Sequence, residues 1–568
     1  MKPELTDLDI DLPAEPEEEY QSLVRSIAWT TGFGLIFVRC SPAFGEELIT
    51  KIREEIPEKK VEVLRLEQPI DNLYPIIENL PNRDEINILF VTGIEKSLVE
   101  YIKPGYGGQG DYYKLDTIPR ILGHLNLQRE RFRDNFNICF VFIVPRFGLK
   151  YFIHRSPDFF DWRSGVFEFP TKQKLLEQES SLILQEGDYD KYCSLTPEEQ
   201  VKKVLEIQEL LAENHQQPSD SEAVASRRSS RASLQFELGN LLAAAKEYEA
   251  AVASFDQALK IKPDDQAAWN NRGIALENLG RFEEAVASFD QALKIKPDDH
   301  QAWNNRGIAL RNLGRLEEAV ASFDQALKIK PDLHEAWNNR GIALRNLGRL
   351  EEAVASFDQA LKIKPDDHQA WNNRGNALAE LGRLEEAVAS YDQALQFKPD
   401  YHEAWYNRGN ALDDLGRLEE AVASYDQALK FKPDLHQAWN NRGNALRNLG
   451  RLEEAVASFD QALQFQPDSH EVWNNRGNAL RNLGRLEEAV ACYDQALQFK
   501  PDLHQAWYNK AYSYALQGNV EQAIENLQQA INLSPDKYRE MAKTDSDFDK
   551  IREDERFRAL IQEALPDG

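Results

Sequence analysis

Tryptophan recurs at a fixed spacing of 34 residues over more than half of this 568-residue chain. An internal period of this length is typical of solenoids, in which each repeat is a pair of helices that buries its apolar face against the next pair. The period therefore predicts an all-α array for this part of the chain. The series is Trp269, Trp303, Trp337, Trp371, Trp405, Trp439, Trp473 and Trp507.

The residues around each tryptophan also keep a fixed register. In the copy from His300 to Leu333 they are Trp303, Gly307, Leu310, Ala319, Phe323, Ala326 and Pro331. This pattern resembles the tetratricopeptide repeat (TPR) family, in nine copies over residues 232–537. The resemblance implies a right-handed superhelical solenoid in which the first helix of each repeat, helix A, lines a concave groove. Below, position 1 of a repeat is the residue three before its tryptophan, and helix B is the second helix.

Local chemistry places the ends of both helices. Helix A is expected to end before Gly314, because glycine adopts the left-handed conformation that closes a helix. Helix B then begins near the acidic pair Glu317 and Glu318 and stops at a proline. Asp332 followed by Glu335 resembles a capping box that begins the next helix A.

Helix A exposes positions 2, 5, 6, 9, 12 and 13 on one arc, opposite the residues that pack. A carboxamide on that arc offers two donors and one acceptor, the complement of a peptide backbone. Helices pack about 10 Å apart and an extended peptide advances about 3.3 Å per residue. One such carboxamide per repeat, called a rung below, can therefore bind about every third peptide residue. The TPR arm of O-linked GlcNAc transferases, which this stretch resembles in this respect, holds extended peptides in this way. Position 6 forms an unbroken asparagine ladder: Asn271, Asn305, Asn339, Asn373, Asn407, Asn441, Asn475 and Asn509.

Variation between the copies falls on the same arc. Position 9 changes from isoleucine to Asn376, Asn410, Asn444 and Asn478, and position 5 becomes Tyr406 and Tyr508. We therefore predict that these residues contact the peptide as well. Two other interpretations stay open: asparagine is tolerated at position 6 without binding anything, or the array is a rigid spacer.

Position 7 departs from the family pattern, because arginine stands where an apolar residue is usual. Arg306 and its equivalents lie in the packing arc. We expect their aliphatic stems to pack while the guanidinium groups reach an acidic neighbour such as Asp324.

The segment before the repeats has a different texture. Short apolar runs, "GFGLIFVRC", "KVEVLRLE", "INILFVTG" and "NICFVFIVP", alternate with helical stretches, which predicts an open parallel α/β sheet over residues 20–170. Residues 1–19 read as a disordered acidic leader, residues 171–231 as a helical and flexible linker, and residues 538–568 as C-terminal capping helices.

The segments "INILFVTGIE", "LNLQRERF", "FVFIVP" and "SPDFFDWRSGVFEF" resemble the RecA-like nucleotide-binding module of STAND-type signalling ATPases. However, "VRCSPAFGEELI" stands where the phosphate-binding GxxxxGK[ST] loop is needed and lacks its lysine and its magnesium ligand. Thr92 and Glu95 occupy the Walker B site without the usual aspartate, and Asp161 and Arg163 are the first residues to test for nucleotide contact. "GYGGQG" matches GxGxxG but follows a helical stretch, so a flexible loop is the better interpretation.

Charge and cysteine content exclude several classes of function. The formal charge of −28 disfavours nucleic acid and anionic membrane surfaces. The four cysteines form no CxxC pair, so no zinc site is predicted, and a reducing, cytoplasmic location is expected. No nucleophile with a base and no paired acid stands out, so we expect neither enzymatic activity nor a cofactor.

The sequence therefore predicts a non-enzymatic scaffold or adaptor. Its groove is expected to bind an extended peptide or partner segment, and the α/β domain a second protein or another copy of the chain. The alternative is a STAND-type nucleotide-dependent switch in signalling or defence, with the repeats as its sensor.

Overall fold

The computed structural model describes residues 16–101, 118–169, 173–213 and 221–562, and it divides the chain into two compact units, residues 1–313 and 314–568. The "GYGGQG" motif, at residues 105–110, lies outside the described residues. The same holds for residues 1–15 of the predicted leader. Residues 16–19, which the sequence assigns to that leader, are helical instead.

The first unit contains a five-stranded sheet in which all strands are parallel, in the order β2-β3-β4-β1-β5. Four of these strands and their parallel arrangement match the prediction. The fifth, β5, has only four residues and one fully buried side chain, so it lacks the long apolar run that marks the others. The strands are β1 (Gly34–Arg39), β2 (Val61–Arg65), β3 (Ile88–Thr92), β4 (Cys139–Val144) and β5 (Gly165–Glu168).

Helices cover both faces of this sheet. Ile36 and Val38 pack with helices α1 and α2 on one side, whereas the alternate residues Leu35 and Phe37 pack with α4 and α5 on the other. Burial on both faces explains why the central strands are apolar at every position. The helices are α1 (Pro16–Trp29), α2 (Pro42–Glu55), α3 (Tyr74–Glu78), α4 (Arg120–Asn135), α5 (Arg146–Arg155) and α6 (Pro157–Phe160), with 3-10 turns at Arg83–Glu85, Ile94–Ser97 and Val99–Tyr101.

Between the sheet and the repeats, α7 (Gln173–Glu186), α8 (Tyr189–Ser194) and α9 (Pro197–Glu213) all pack on α10 (Ser221–Ala244). The Tyr192 hydroxyl of α8 donates a hydrogen bond to Glu237 of α10, 3.0 Å. The sequence predicts a flexible connector up to residue 231, but residues from Ser221 onward already form α10.

From residue 248 the chain is a run of paired helices. The first unit continues with α11 (Tyr248–Ile261), α12 (Gln266–Asn278), α13 (Phe282–Ile295) and α14 (His300–Asn312). The second unit contains α15 (Leu316–Ile329), α16 (His334–Asn346), α17 (Leu350–Ile363), α18 (His368–Glu380), α19 (Leu384–Phe397), α20 (His402–Asp414), α21 (Leu418–Phe431), α22 (His436–Asn448), α23 (Leu452–Phe465), α24 (His470–Asn482), α25 (Leu486–Phe499), α26 (His504–Gln517), α27 (Val520–Leu533), α28 (Pro535–Thr544), a 3-10 turn at Ser546–Phe548 and α29 (Glu555–Gln562).

The repeat residues pack as their chemistry demands. Gly341, at position 8, lies so close to the Phe357 ring that an added Cβ would stand 2.6 Å from it. The glycine that follows each helix A adopts a left-handed conformation, with φ of +77° at Gly314. Geometry therefore favours glycine at these two positions, although Lys246 adopts the same left-handed conformation (φ +63°) after the first helix A.

The arginines at position 7 connect three consecutive helices. Arg374 of α18 donates from Nε to Asp358 of α17 and from Nη1 to Ser390 of α19, both at 2.7 Å. Asp324, named above as an acceptor, receives the equivalent bond from Arg340 at 2.6 Å. The expected structural role of these arginines is confirmed.

The capping prediction is shifted by one residue. Helix α16 has Leu333 as its N-cap, with no side-chain hydrogen bond, so Asp332 caps nothing there. In α14 the cap is Asp299, whose carboxylate accepts from the backbone N–H groups of Gln301 and Ala302. The cap therefore occupies position 34 of the repeat and forms only where that residue is polar.

Candidate peptide-binding face

At least seven of the eight ladder asparagines of position 6 donate a hydrogen bond to the repeat before them. Asn373 Nδ2 donates to Asn338 Oδ1 at 3.1 Å, and Asn407 Nδ2 donates to Asn372 Oδ1 at 3.1 Å. Thus in α12, α18, α22 and α24 the two adjacent asparagines have different roles, one as donor to the preceding repeat and one as acceptor for the next. The equivalent donors are Asn305 to Asn270 (3.4 Å), Asn475 to Asn440 (3.1 Å) and Asn509 to Asn474 (3.0 Å), while Asn271 donates to Asn240 (2.9 Å) and Asn441 to Asn410 (3.0 Å).

These bonds use only part of each carboxamide. Among the described residues, Oδ1 of Asn373, Asn407 and Asn475 accepts no hydrogen bond, and the second N–H of each amide makes none either. The three side chains are partly exposed. Each rung is thus held in one orientation while one donor and one acceptor remain for a ligand.

The position 9 asparagines are engaged differently. Tyr391 donates its hydroxyl to Asn376 Oδ1 at 2.8 Å, and the same bond joins Tyr425 to Asn410 and Tyr493 to Asn478 at 2.9 Å. In the repeat of Asn444 the aromatic residue is Phe459, and Asn444 Oδ1 is buried without a partner. These carbonyl oxygens are therefore directed into the repeat, away from the acceptor role that a peptide needs.

The two predicted tyrosines occupy unlike surroundings. Tyr406 is partly exposed, and its hydroxyl lies 3.3 Å from Asn441 Nδ2. Tyr508 is only 5% exposed, stacks on Tyr538 of α28 and donates to Asp545 at 2.9 Å. The C-terminal segment covers Tyr508, so Tyr508 belongs to the core of the last repeat.

Sequence reasoning missed two features of this face. One is that the residue type at position 9 follows the aromatic residue at position 24. The repeats of Ile274, Ile308 and Ile342 have phenylalanine at position 24, whereas three repeats with asparagine at position 9 have tyrosine there. The other is position 12, where Arg447 and Arg481 lie on consecutive A helices, partly buried. The sequence alone does not distinguish an arginine that has an acidic partner from one that has none, because the partner lies in another repeat.

A second candidate site is a cavity of about 920 Å³ at the carboxyl ends of β1 to β4, closed on one side by α7 and α9. Carboxylates outnumber basic groups nine to five among the residues that line it. Glu46 forms a two-point ion pair with Arg65, at 3.0 and 2.7 Å.

The predicted Walker B residues reach this cavity. Thr92 and Glu95 line it, Glu95 Oε2 is buried without a hydrogen bond, and burial raises the pKa of that carboxyl group. Asp161 and Arg163 do not line it; they form a 3.6 Å ion pair with each other, and the Arg163 guanidinium lies 4.3 Å from the Phe160 ring centre.

Comparison with known proteins decides the nature of the repeats. The family profile described as "Tetratricopeptide repeat" matches residues 270–334, 304–368, 338–402, 396–436, 406–470, 440–504 and 474–538, and one described as "TPR repeat" matches residues 239–280. The chain is a tetratricopeptide repeat protein. No curated protein matches it.

Solved TPR structures resemble parts of the chain. YrrB, described as "a TPR protein with an unusual peptide-binding site", is 27% identical, with a TM-score of 0.30 over 32% of this chain and 94% of its own. A TPR protein from Parabacteroides merdae is 20% identical, with a TM-score of 0.34 over 43% and 97%. PilF of Pseudomonas aeruginosa is 18% identical, with a TM-score of 0.33 over 37% and 97%.

The described residues of the TPR protein form neither a metal site nor a membrane-spanning helix. Over the parts of the chain that the structure describes, no three His, Cys, Asp or Glu side chains converge to hold a metal ion. None of the described helices combines the length and the apolar composition needed to cross a membrane.

Proposed function

We propose that this TPR protein is a non-enzymatic interaction scaffold whose helix A face binds an extended segment of a partner protein. TPR repeats are protein-interaction modules, and the A-helix face carries the unused peptide-like groups. The observation that supports the proposal most directly is the free donor and acceptor on Asn373, Asn407 and Asn475.

The recognition would be of backbone more than of side chains. A ligand N–H donates to Oδ1 of a rung, and the second Nδ2 hydrogen donates to a ligand carbonyl. The bond to the preceding repeat fixes each amide beforehand, which lowers the entropy lost on binding. Of the fourteen predicted contact residues, the ladder and Tyr406 remain in the proposed site. Asn376, Asn410, Asn444 and Asn478 leave the site because their carbonyl oxygens are directed into the repeat, and Tyr508 leaves it because it is buried.

The test compares two triple variants of the intact chain. Asn373→Ala, Asn407→Ala and Asn475→Ala together remove the rungs. The control, Asn338→Ala, Asn372→Ala and Asn440→Ala, breaks the same inter-repeat hydrogen bonds but keeps the rungs. Peptides of about twelve residues, long enough for about four rungs at 3.3 Å per residue, are selected from a random library on the wild-type chain.

The rung variant should bind the selected peptides at least about tenfold more weakly, since each lost hydrogen bond contributes about 0.5–1.5 kcal/mol. The control should lose thermal stability to the same extent while its affinity changes much less. Equal loss of affinity in both variants would contradict the proposal, because the asparagines would then act only through the fold.

For the α/β domain, we propose an inactive relative of STAND nucleotide-binding modules that is retained to dock a second protein or another copy of the chain. Support comes from the missing phosphate-loop lysine and from the excess of carboxylates in the cavity. The alternative, a nucleotide-dependent switch, is favoured by the position of Thr92 and Glu95 at the same cavity. Calorimetry with ATP and magnesium separates them: saturable binding supports the switch, and its absence supports the docking module.

A further inference from the structure

Two arginines of the second unit, Arg447 and Arg481, form no ion pair with a described carboxylate. Asp413 attracts Arg447, and Asp547 attracts Arg481, only from beyond ion-pair distance. Arg447 of α22 makes no hydrogen bond and no ion pair with any described residue. Arg481 of α24 reaches Asn509 and Asn482 Oδ1 at 3.5 and 3.4 Å, and its Nε is buried without an acceptor. Its guanidinium lies over the Tyr512 ring, 4.4 Å from the centre, which fixes it in place.

A third arginine shows what is missing. Arg345 also occupies position 12, and its Nε lies 3.5 Å from Glu380, at position 13 of the next repeat. The residues equivalent to Glu380 are Asn482 beside Arg447 and Leu516 beside Arg481. The carboxylate that neutralises Arg345 is therefore replaced by uncharged residues at both sites.

This arrangement weakens the free protein. Burial lowers the pKa of Arg447, and the neighbouring charge of Arg481 lowers it further; Asp413 attracts it only from beyond ion-pair distance. A partly buried charge without a partner destabilises a fold, and two like charges on adjacent helices add repulsion. An incoming pair of carboxylates would relieve both effects.

We propose that Arg447 and Arg481 bind two acidic side chains of the partner segment, spaced three residues apart in a polyproline II conformation. This inference rests on the proposed function of the ladder. Polyproline II repeats its facing every three residues, at about 9.3 Å, which matches helices packed about 10 Å apart. A β-strand instead returns a side chain to the same face after about 6.6 Å. The ligand class is thus an acidic Glu-x-x-Glu peptide.

Three fluorescein-labelled peptides of equal length test this on the intact chain by fluorescence anisotropy, at about 0.15 M salt. One repeats Glu-Pro-Pro, the second repeats Gln-Pro-Pro, and the third carries the same number of glutamates in Glu-Pro repeats, with Gln-Pro units added to reach the same length. Each Glu or Gln keeps the N–H that a rung requires, and proline favours polyproline II. Because the chain carries a net charge of −28, a preference for glutamate can come only from a local basic site.

The Glu-Pro-Pro peptide should bind about tenfold more tightly than the other two, the gain typical of a charge-assisted hydrogen bond. Arg447→Gln and Arg481→Gln should each reduce that preference and the double variant should abolish it, whereas Arg345→Gln, at the same position but already paired, should retain it. Arg447→Gln should also leave the melting temperature equal or raised, and Arg345→Gln should lower it.

Equal binding of the Glu-Pro-Pro and Gln-Pro-Pro peptides would overturn the inference, but it would not contradict the proposed function of the ladder. Loss of the preference in Arg345→Gln would overturn it as well. If none of the three peptides binds, and if the rung variant binds the selected peptides as tightly as the wild-type chain does, the proposed function itself is contradicted.

Discussion

The repeat of Asn444 contains a defect that a single hydroxyl group should repair. Asn444 Oδ1 is buried without a hydrogen bond because Phe459 stands where three other repeats with asparagine at position 9 have tyrosine. Those three tyrosines are also fully or almost fully buried, so this packing environment accommodates the hydroxyl. Phe459→Tyr should therefore place a donor against Asn444.

The gain follows from the hydrogen bond that is formed. A net intramolecular bond contributes about 0.5–1.5 kcal/mol, and here it also satisfies a buried acceptor, so we expect about 1 kcal/mol. The matched control is Phe357→Tyr in the repeat of Ile342, where position 9 offers no acceptor. That variant should be destabilised by about 1–3 kcal/mol because the new hydroxyl is buried without a partner. Tyr391→Phe should destabilise its repeat, because Asn376 Oδ1 then loses its hydrogen bond.

Hydrogen exchange measured by mass spectrometry suits this test, because repeat arrays do not unfold as a single unit. A local gain of about 1 kcal/mol slows exchange in the α22 and α23 helices about fivefold. Unchanged exchange in Phe459→Tyr, or equal stabilisation by Phe357→Tyr, would refute the reasoning. In either case the effect of the hydroxyl group would not depend on an acceptor at position 9.

Two further predictions concern stability. Gly341→Ala should destabilise the array by about 1–3 kcal/mol in urea unfolding, because its Cβ would meet the fully buried Phe357 ring at 2.6 Å; a wild-type midpoint would mean that the ring can move aside. His504 packs against Tyr538, and burial, with Lys537 and Lys500, lowers its pKa below the unfolded value of about 6.5. The unfolded state therefore binds the proton more readily, so the melting temperature should fall as pH drops below about 6.5, and His504→Gln should flatten that dependence. Asp502 opposes this lowering of the pKa. If His504→Gln leaves the pH dependence of the melting temperature unchanged, other groups cause that dependence.

Periodicity was sufficient to predict the helical array, because every repeat repeats the same local chemistry. The tryptophan spacing, the glycine that ends helix A and the arginine at position 7 all have the structural roles that their residue types indicate. Four strands of the sheet were equally clear, since burial on both faces leaves long apolar runs.

Two of the failures share one physical cause, which is that the partners of polar side chains depend on tertiary contacts, whereas the capping failure is local. Asp332 precedes the helix by one residue too many to cap it, a difference within the usual uncertainty of helix boundaries. Asn376 looks like Asn373 on a helical wheel, yet Tyr391 from helix B donates a hydrogen bond to its carbonyl oxygen. Tyr508 looks like Tyr406, but only Tyr508 is covered by α28.

The most direct test of the central claim is a crystal structure of the chain with a selected peptide. We predict that ligand backbone N–H and C=O groups lie about 2.9 Å from Oδ1 and Nδ2 of Asn373, Asn407 and Asn475, at intervals of about three ligand residues. A peptide bound elsewhere on the repeats, with these three amides contacting only Asn338, Asn372 and Asn440, would contradict the account.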